Sequence, residues 1–161
     1  MQRPGLTAGS AVPLFDRFEE VDDCRIAEPY RVQDLSLLLA SIQKEIGNLL
    51  NTRLPDAGWE PVSLPQTILD YGLPSFSHLS SGSSSDIQQL CQVIAAKIAA
   101  FEPRLQDPVL ELQNDPSDVA GMIGTLRGSV RMDNLSQPVC FPVSLRNHGE
   151  STAILPAEID A

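Results

Sequence analysis

Ile98-Ala99-Ala100-Phe101-Glu102-Pro103-Arg104-Leu105 marks the point at which the hydrophobic period of this chain changes. On its N-terminal side, Ile87, Leu90, Cys91, Ile94, Ile98 and Phe101 recur at steps of three and four, which predicts an amphipathic helix with Asp86 as its N-cap. Pro103 stops that helix, because it lacks an N–H and disfavours helical geometry at Glu102. Beyond it the period is two. Leu110 and Leu112 alternate with Glu111 and Gln113; Met122, Leu126, Val130 and Met132 share a parity with Gly124 and Gly128; Val139, Phe141, Val143 and Leu145 share another. Three antiparallel strands account for this pattern. Asp115-Pro116-Ser117-Asp118 and Asp133-Asn134-Leu135-Ser136-Gln137 supply the turns. Pro142 has no N–H for a ladder, so its strand is expected at a sheet edge or a bulge.

Upstream, Leu35, Leu38, Leu39, Ile42, Ile46, Leu49 and Leu50 place a second apolar stripe on a helix read from Arg31 to Asn51. Asp34 near its start and Arg53 near its finish suit the helix dipole. Pro55, Gly58, Pro61 and Pro65 then enforce a loop, with Trp59 and Val62 available to cover a core edge. Gln66-Thr67-Ile68-Leu69 is expected to make one helical turn before Gly72 reverses the chain. Ser80 to Ser85 reads as a flexible linker, and Leu14-Phe15-Asp16-Arg17-Phe18 as a helical turn tucked on the core. The division is a mobile arm over 1–12, one domain over 13–146 and an extended tail over 147–161. The fold class is α+β, with helices packed on one face of a small antiparallel β-sheet.

The 161 residues suffice for one domain burying about 70% of its unfolded surface. Aromatic residues make up only 5%, so the core is built from Leu, Ile and Val. A net charge of −10 repels polyanions, which makes nucleic acid and anionic membrane surfaces poor partners. Cys24, Cys91 and Cys140 form an odd set without CxxC spacing, as expected in a reducing compartment. No run of about 18 apolar residues is present, and Met1 to Ser10 lacks a signal-peptide core, so a cytosolic protein is expected.

No catalytic constellation stands out. Asp22 and Asp23 sit in a polar loop, Glu111 faces the polar side of a strand, and Arg104 beside Glu102 disqualifies that carboxyl as a general acid. His78 and His148 have no HExxH or Cys/His company. The serines near Ser80 lack a nucleophile-elbow context, and Gly121-Met122-Ile123-Gly124 is not followed by the Lys-Ser/Thr of a phosphate loop. These glycines serve sheet twist or close packing. No catalytic residue, metal ligand or cofactor is assigned.

Three motifs in order, Leu49-Leu50-Asn51-Thr52-Arg53, Leu69-Asp70-Tyr71-Gly72-Leu73-Pro74 and Phe101-Glu102-Pro103-Arg104-Leu105, give the chain a family likeness. From Val12 to Leu145 it resembles the TssE family of type VI secretion baseplate subunits, also called gene-25-like lysozymes after a tailed-phage relative. Asp70 stands where that pattern often has Asn. The resemblance implies a structural role without enzymatic activity, linking baseplate wedge subunits to the first sheath ring. The implied partners are TssF, TssG and TssK and the sheath proteins TssB and TssC, with no cofactor. The implied location is the cytoplasm, in a complex docked at the inner face of the bacterial inner membrane.

The resemblance also assigns contacts with neighbouring wedge subunits to Glu102, Pro103 and Arg104. The fork of Arg104 suits carboxylates or carbonyls of a partner, and Pro103 is expected to present the flanking charges at the surface. A sheath-facing edge strand is expected at Val139, Phe141, Pro142, Val143 and Leu145. Asn51 is a candidate cap for the first helix, and the Tyr71 hydroxyl a candidate fastener of the Gly72 turn. A peptidoglycan-cleaving muramidase-like enzyme and a generic cytosolic adaptor are the rival readings.

Overall fold

The computed structural model describes residues 10–11, 32–33, 35–54, 67–76, 83–118, 121–132, 135–146, 153–155 and 158–159. In chain order these form β1 (Ser10–Ala11), β2 (Val32–Gln33), α1 (Leu35–Asn51), β3 (Arg53–Leu54), a 3-10 turn (Ile68–Asp70) and β4 (Leu73–Pro74). They continue with α2 (Ser84–Phe101), β5 (Leu105–Asn114), β6 (Gly121–Met132), β7 (Leu135–Arg146), β8 (Ala153–Ile154) and β9 (Glu158–Ile159). Asp22, Asp23, Cys24, Asp34, Trp59, Val62, His78 and His148, with the Leu14–Phe18 cluster, lie outside the described residues.

The long strands β5, β6 and β7 form the antiparallel meander that the alternation implied. The β6–β7 ladder is continuous from Gly121↔Arg146 to Met132↔Leu135. Its parity sends Met122, Leu126, Val130, Val139, Phe141, Val143 and Leu145 to one face, where all are buried. Both helices lie on that face, with Leu38, Ile42 and Ile46 of α1 and Leu90, Ile94 and Ile98 of α2 in the same apolar cluster. Each such side chain contributes roughly 1.5–3 kcal/mol on burial.

Several boundaries differ from the sequence expectation. Helix α1 begins at Leu35, because Val32–Gln33 is extended and pairs with Ser10–Ala11, two residues of the stretch read as a mobile arm. The N-cap of α2 is Ser83 rather than Asp86: the Ser83 hydroxyl accepts from the Asp86 N–H, and the Asp86 carboxylate stands in the first turn. Hydroxyl caps and first-turn carboxylates both favour a helix start, so either residue type serves. Strand β5 starts at Leu105, five residues before the alternation becomes visible, because its ladder is interrupted between Gln106 and Val109. Asp107, with φ of 49°, and Pro108 occupy this irregularity.

The largest correction concerns β7, which was expected to leave one edge open. Its far side is covered, by β8 at Val143 and Ser144 and by β9 at Val139 and Cys140. The Pro142 carbonyl accepts from the Leu155 N–H at 3.0 Å. A residue's C=O and N–H point the same way in an antiparallel strand, so the missing N–H of Pro142 faces the outer side and spares the β6 ladder. The proline reading located the outer side, and the tail occupies it.

Candidate functional site

The three motifs converge on one junction where α1, α2 and β5 meet. At the end of α1, three consecutive motif residues reach back with side-chain donors to carbonyls of the last turns. Asn51 Nδ2 donates to Gly47 O at 2.8 Å, Thr52 Oγ1 to Asn48 O at 2.8 Å, and Arg53 Nη1 to Leu50 O at 3.0 Å. The guanidinium carbon of Arg53 also lies 4.7 Å from the ring centre of Phe76. Partial burial lowers the Arg53 pKa from its ordinary value. Asn51 is thus a C-terminal cap, as expected, and its two successors share the task.

The second motif is joined to the first by backbone. Strands β3 and β4 pair in parallel, and the Leu73 N–H donates to Thr52 O at 2.9 Å. Gly72 has a φ of +117°, and a Cβ built on it would lie 2.7 Å from Thr52 O. Both backbone conformation and space therefore require glycine. Gly72→Ala is expected to destabilise the chain by about 2 kcal/mol, read as a lower urea midpoint. A midpoint within error of the parent would refute this account of the junction.

Asp70 closes a capping box with Thr67: its Oδ2 accepts from the Thr67 N–H at 2.8 Å and from the Thr67 hydroxyl at 2.9 Å. These bonds hold its pKa below the ordinary carboxylate value. The same turn leaves Ile68 and Leu69 exposed.

Lys97 ties this turn to α2. It is a buried lysine within an otherwise apolar helix face, and its Nζ donates to Asp70 O at 2.7 Å. Its ammonium lies 5.8 Å from the ring centre of Phe101. Burial lowers the Lys97 pKa, and the nearby Asp70 charge opposes that shift. Tyr71 meets Phe101 edge-on, with ring centres 5.3 Å apart. The ring, rather than the hydroxyl, makes this attachment. Burial raises the Tyr71 pKa, and the Glu45 and Glu102 charges add to the rise.

The third motif completes the junction. The Glu102 N–H donates to Ile98 O at 2.8 Å as the last helical bond of α2, and Leu105 N–H donates to Glu102 O at 3.1 Å where β5 begins. Pro103 is exposed at the crest of this turn. Glu102 is not: it is 3% exposed, against the expectation that Pro103 presents both flanking charges. The turn folds Arg104 back, so that Nε donates to Glu102 Oε1 at 2.7 Å and Nη2 to Glu102 Oε2 at 2.6 Å. The Arg104 backbone N–H adds a bond to Oε1 at 3.1 Å, and Nη1 donates to the buried Ser41 hydroxyl of α1 at 3.0 Å. A forked, charge-assisted pair of this kind offsets the desolvation of Glu102. The Arg104 side chain keeps 23% exposure, so it is both an internal clamp and a surface group.

Sequence reasoning missed Ser41 and Lys97. Each carried a signal, being a polar residue set in an apolar helical stripe, between Leu38 and Ile42 in one case and between Ile94 and Phe101 in the other. The acids that were weighed for catalysis have other engagements where they are described. Both Glu102 oxygens face Arg104, and Glu111 is largely exposed 4.0 Å from Arg127 on the polar face. Cys91 and Cys140 are free thiols. Among the described residues, no three His, Cys, Asp or Glu side chains gather as metal ligands, and no helix is long and apolar enough to cross a membrane.

A family model described as baseplate wedge protein gp25 matches residues 36–138, well over half of the chain. The match contains all three motifs, both helices almost entire, β5 and β6, and it ends within β7. No curated protein and no solved structure matches the chain.

Proposed function

Because this chain belongs to the baseplate wedge protein gp25 family, a structural family of baseplates, we propose that it is a wedge subunit of a type VI secretion system. In this reading it joins TssF, TssG and TssK to the first TssB/TssC sheath ring, as a non-enzymatic component on the cytoplasmic side of the inner membrane. The observation that carries it is the convergence of the three motifs on one clamped junction inside the family match. Such a junction fixes the angle between two helices and a sheet, which a part that sets the geometry of its neighbours needs.

Within this reading Arg104 supplies the contact and Glu102 positions it. The buried carboxylate aims the guanidinium, Pro103 sets the crest of the turn, and the exposed side of Arg104 meets a carboxylate or carbonyl of the neighbouring subunit.

Co-expression with TssF, TssG and TssK tests the proposal directly, with co-purification of all four chains as the expected result. Failure of the folded chain to co-purify, or to pull down TssB/TssC, overturns the assignment to this machine. The purified protein is also expected to leave the turbidity of a peptidoglycan suspension unchanged. Lysis abolished by changing one carboxylate would replace the structural reading with the muramidase one.

A further inference from the structure

Ser41 stands where the apolar stripe of α1 would take an aliphatic residue. Leu38, Leu39 and Ile42 around it are buried, and Ser41 itself is only 8% exposed. A hydroxyl in such a place costs stability unless it is hydrogen-bonded, and alanine would suit the helix better, so the bond it makes is informative. The hydroxyl accepts from Arg104 Nη1 at 3.0 Å, across 63 positions of sequence. The bonds from Arg104 Nε and Nη2 to the Glu102 carboxylate join two side chains of one turn, and a fork of that kind can swing as a unit. The bond to Ser41 ties it to a different element. Four residues on, and so on the same face of α1, the Glu45 charge reaches Tyr71 as that of Glu102 does. Helix α1 thus brings to the junction an acceptor and a negative charge, both suited to a guanidinium.

We propose that Ser41 is a positioning residue for the partner contact: its hydroxyl fixes the direction in which Arg104 presents its guanidinium to a neighbouring subunit. The inference rests on the reading of Arg104 as a contact. Two carboxylate oxygens at the end of α2 and one hydroxyl on α1 match the planar, forked donor set of arginine. A lysine ammonium on its flexible stem does not reproduce that match. The direction of the guanidinium is therefore set before a partner arrives, and such preorganisation raises affinity by cutting the ordering cost of binding. Charge alone would not require Ser41, because Glu102 already neutralises Arg104.

The test uses Ser41→Ala, which removes the acceptor and keeps every charge, Arg104→Lys, which keeps the charge and loses the fork, and Ser41→Ala in an Arg104→Ala background. In the isolated full chain, NMR of the Arg104 guanidinium nitrogens is expected to show faster rotation about Cζ–Nη1 in Ser41→Ala than in the parent. Ser41→Ala should lower the urea midpoint of the parent and leave that of Arg104→Ala unchanged, because an effect carried by a shared bond vanishes once the other partner is gone. With TssF and TssG, Ser41→Ala and Arg104→Lys should each weaken binding by about tenfold or more. An equal midpoint loss in both backgrounds would make Ser41 a packing residue and overturn the proposal. Unchanged guanidinium rotation, or parent-like binding by Ser41→Ala or Arg104→Lys, would overturn it as well. A folded parent chain that binds neither subunit would overturn the assembly reading and the contact with it, whereas the rotation and the midpoints still decide whether Ser41 holds Arg104.

Discussion

Replacing Arg104 by alanine is expected to lower the stability of the isolated chain by about 2–4 kcal/mol and, separately, to abolish co-purification with the wedge subunits. The stability loss follows from what remains behind. Glu102 is 3% exposed and would keep, of its present Arg104 bonds, only the one from the Arg104 backbone N–H. The Ser41 hydroxyl would lose the donor at 3.0 Å that joins α1 to the turn. The range sits at the lower side of what breaking a buried pair costs, because Arg104 retains 23% exposure.

A double variant separates clamp from contact. Glu102→Leu with Arg104→Met removes both charges together, and an apolar pair of similar volume is often close to neutral for stability. The double variant is therefore expected to recover most of the lost stability in urea denaturation while assembly stays lost. Recovery of assembly together with stability would assign the tripeptide to folding alone. A melt of Arg104→Ala at the parent temperature would show instead that the clamp contributes nothing.

The legible parts of this fold were those with a period. The meander could be read because Met122, Leu126 and Val130 of β6 and Val139, Phe141, Val143 and Leu145 of β7 keep one parity toward the core. The helices could be read because their apolar stripes are long. What escaped had no period. Strands β8 and β9 are two residues each, and β1 and β2 likewise, so no alternation exists to detect. Their pairing depends on an available edge, which is a tertiary fact. The same holds for Glu102, where a proline after a helix signals a stop but does not say whether the next side chain turns outward or returns over its neighbour. Here the return is favoured by the Ser41 acceptor, sixty-three positions away in sequence. Of the site, the three motifs were visible as separate strings; that Thr52 O, Lys97 and Ser41 fasten them into one junction became evident only from the packing.

Gly124→Ala is expected to be among the most disruptive single changes in the sheet, at about 3 kcal/mol or more. Gly124 sits on the core-facing parity of β6, in register with Leu112 of β5. A Cβ at this position would lie 1.9 Å from Glu111 O and 2.9 Å from both Glu111 C and Leu112 Cδ2. The obstacle is the backbone of the neighbouring strand, which cannot move aside as the end of a flexible side chain would. Relief requires β5 to shift away from β6, and β5 also receives the main packing of α2 and begins directly after the Glu102–Arg104 turn. The sheet glycines thus set the closeness with which β5 approaches β6, consistent with Gly128, where a Cβ would lie 2.7 Å from Leu105 Cδ1. Because Gly124 is far in sequence from the tripeptide, its variant is expected to weaken the clamp indirectly. Exchange at the Leu105 amide, bonded to Glu102 O, should rise along with the loss in urea midpoint. A soluble Gly124→Ala protein with an unchanged midpoint would mean that β5 and β6 are less tightly apposed than this packing requires.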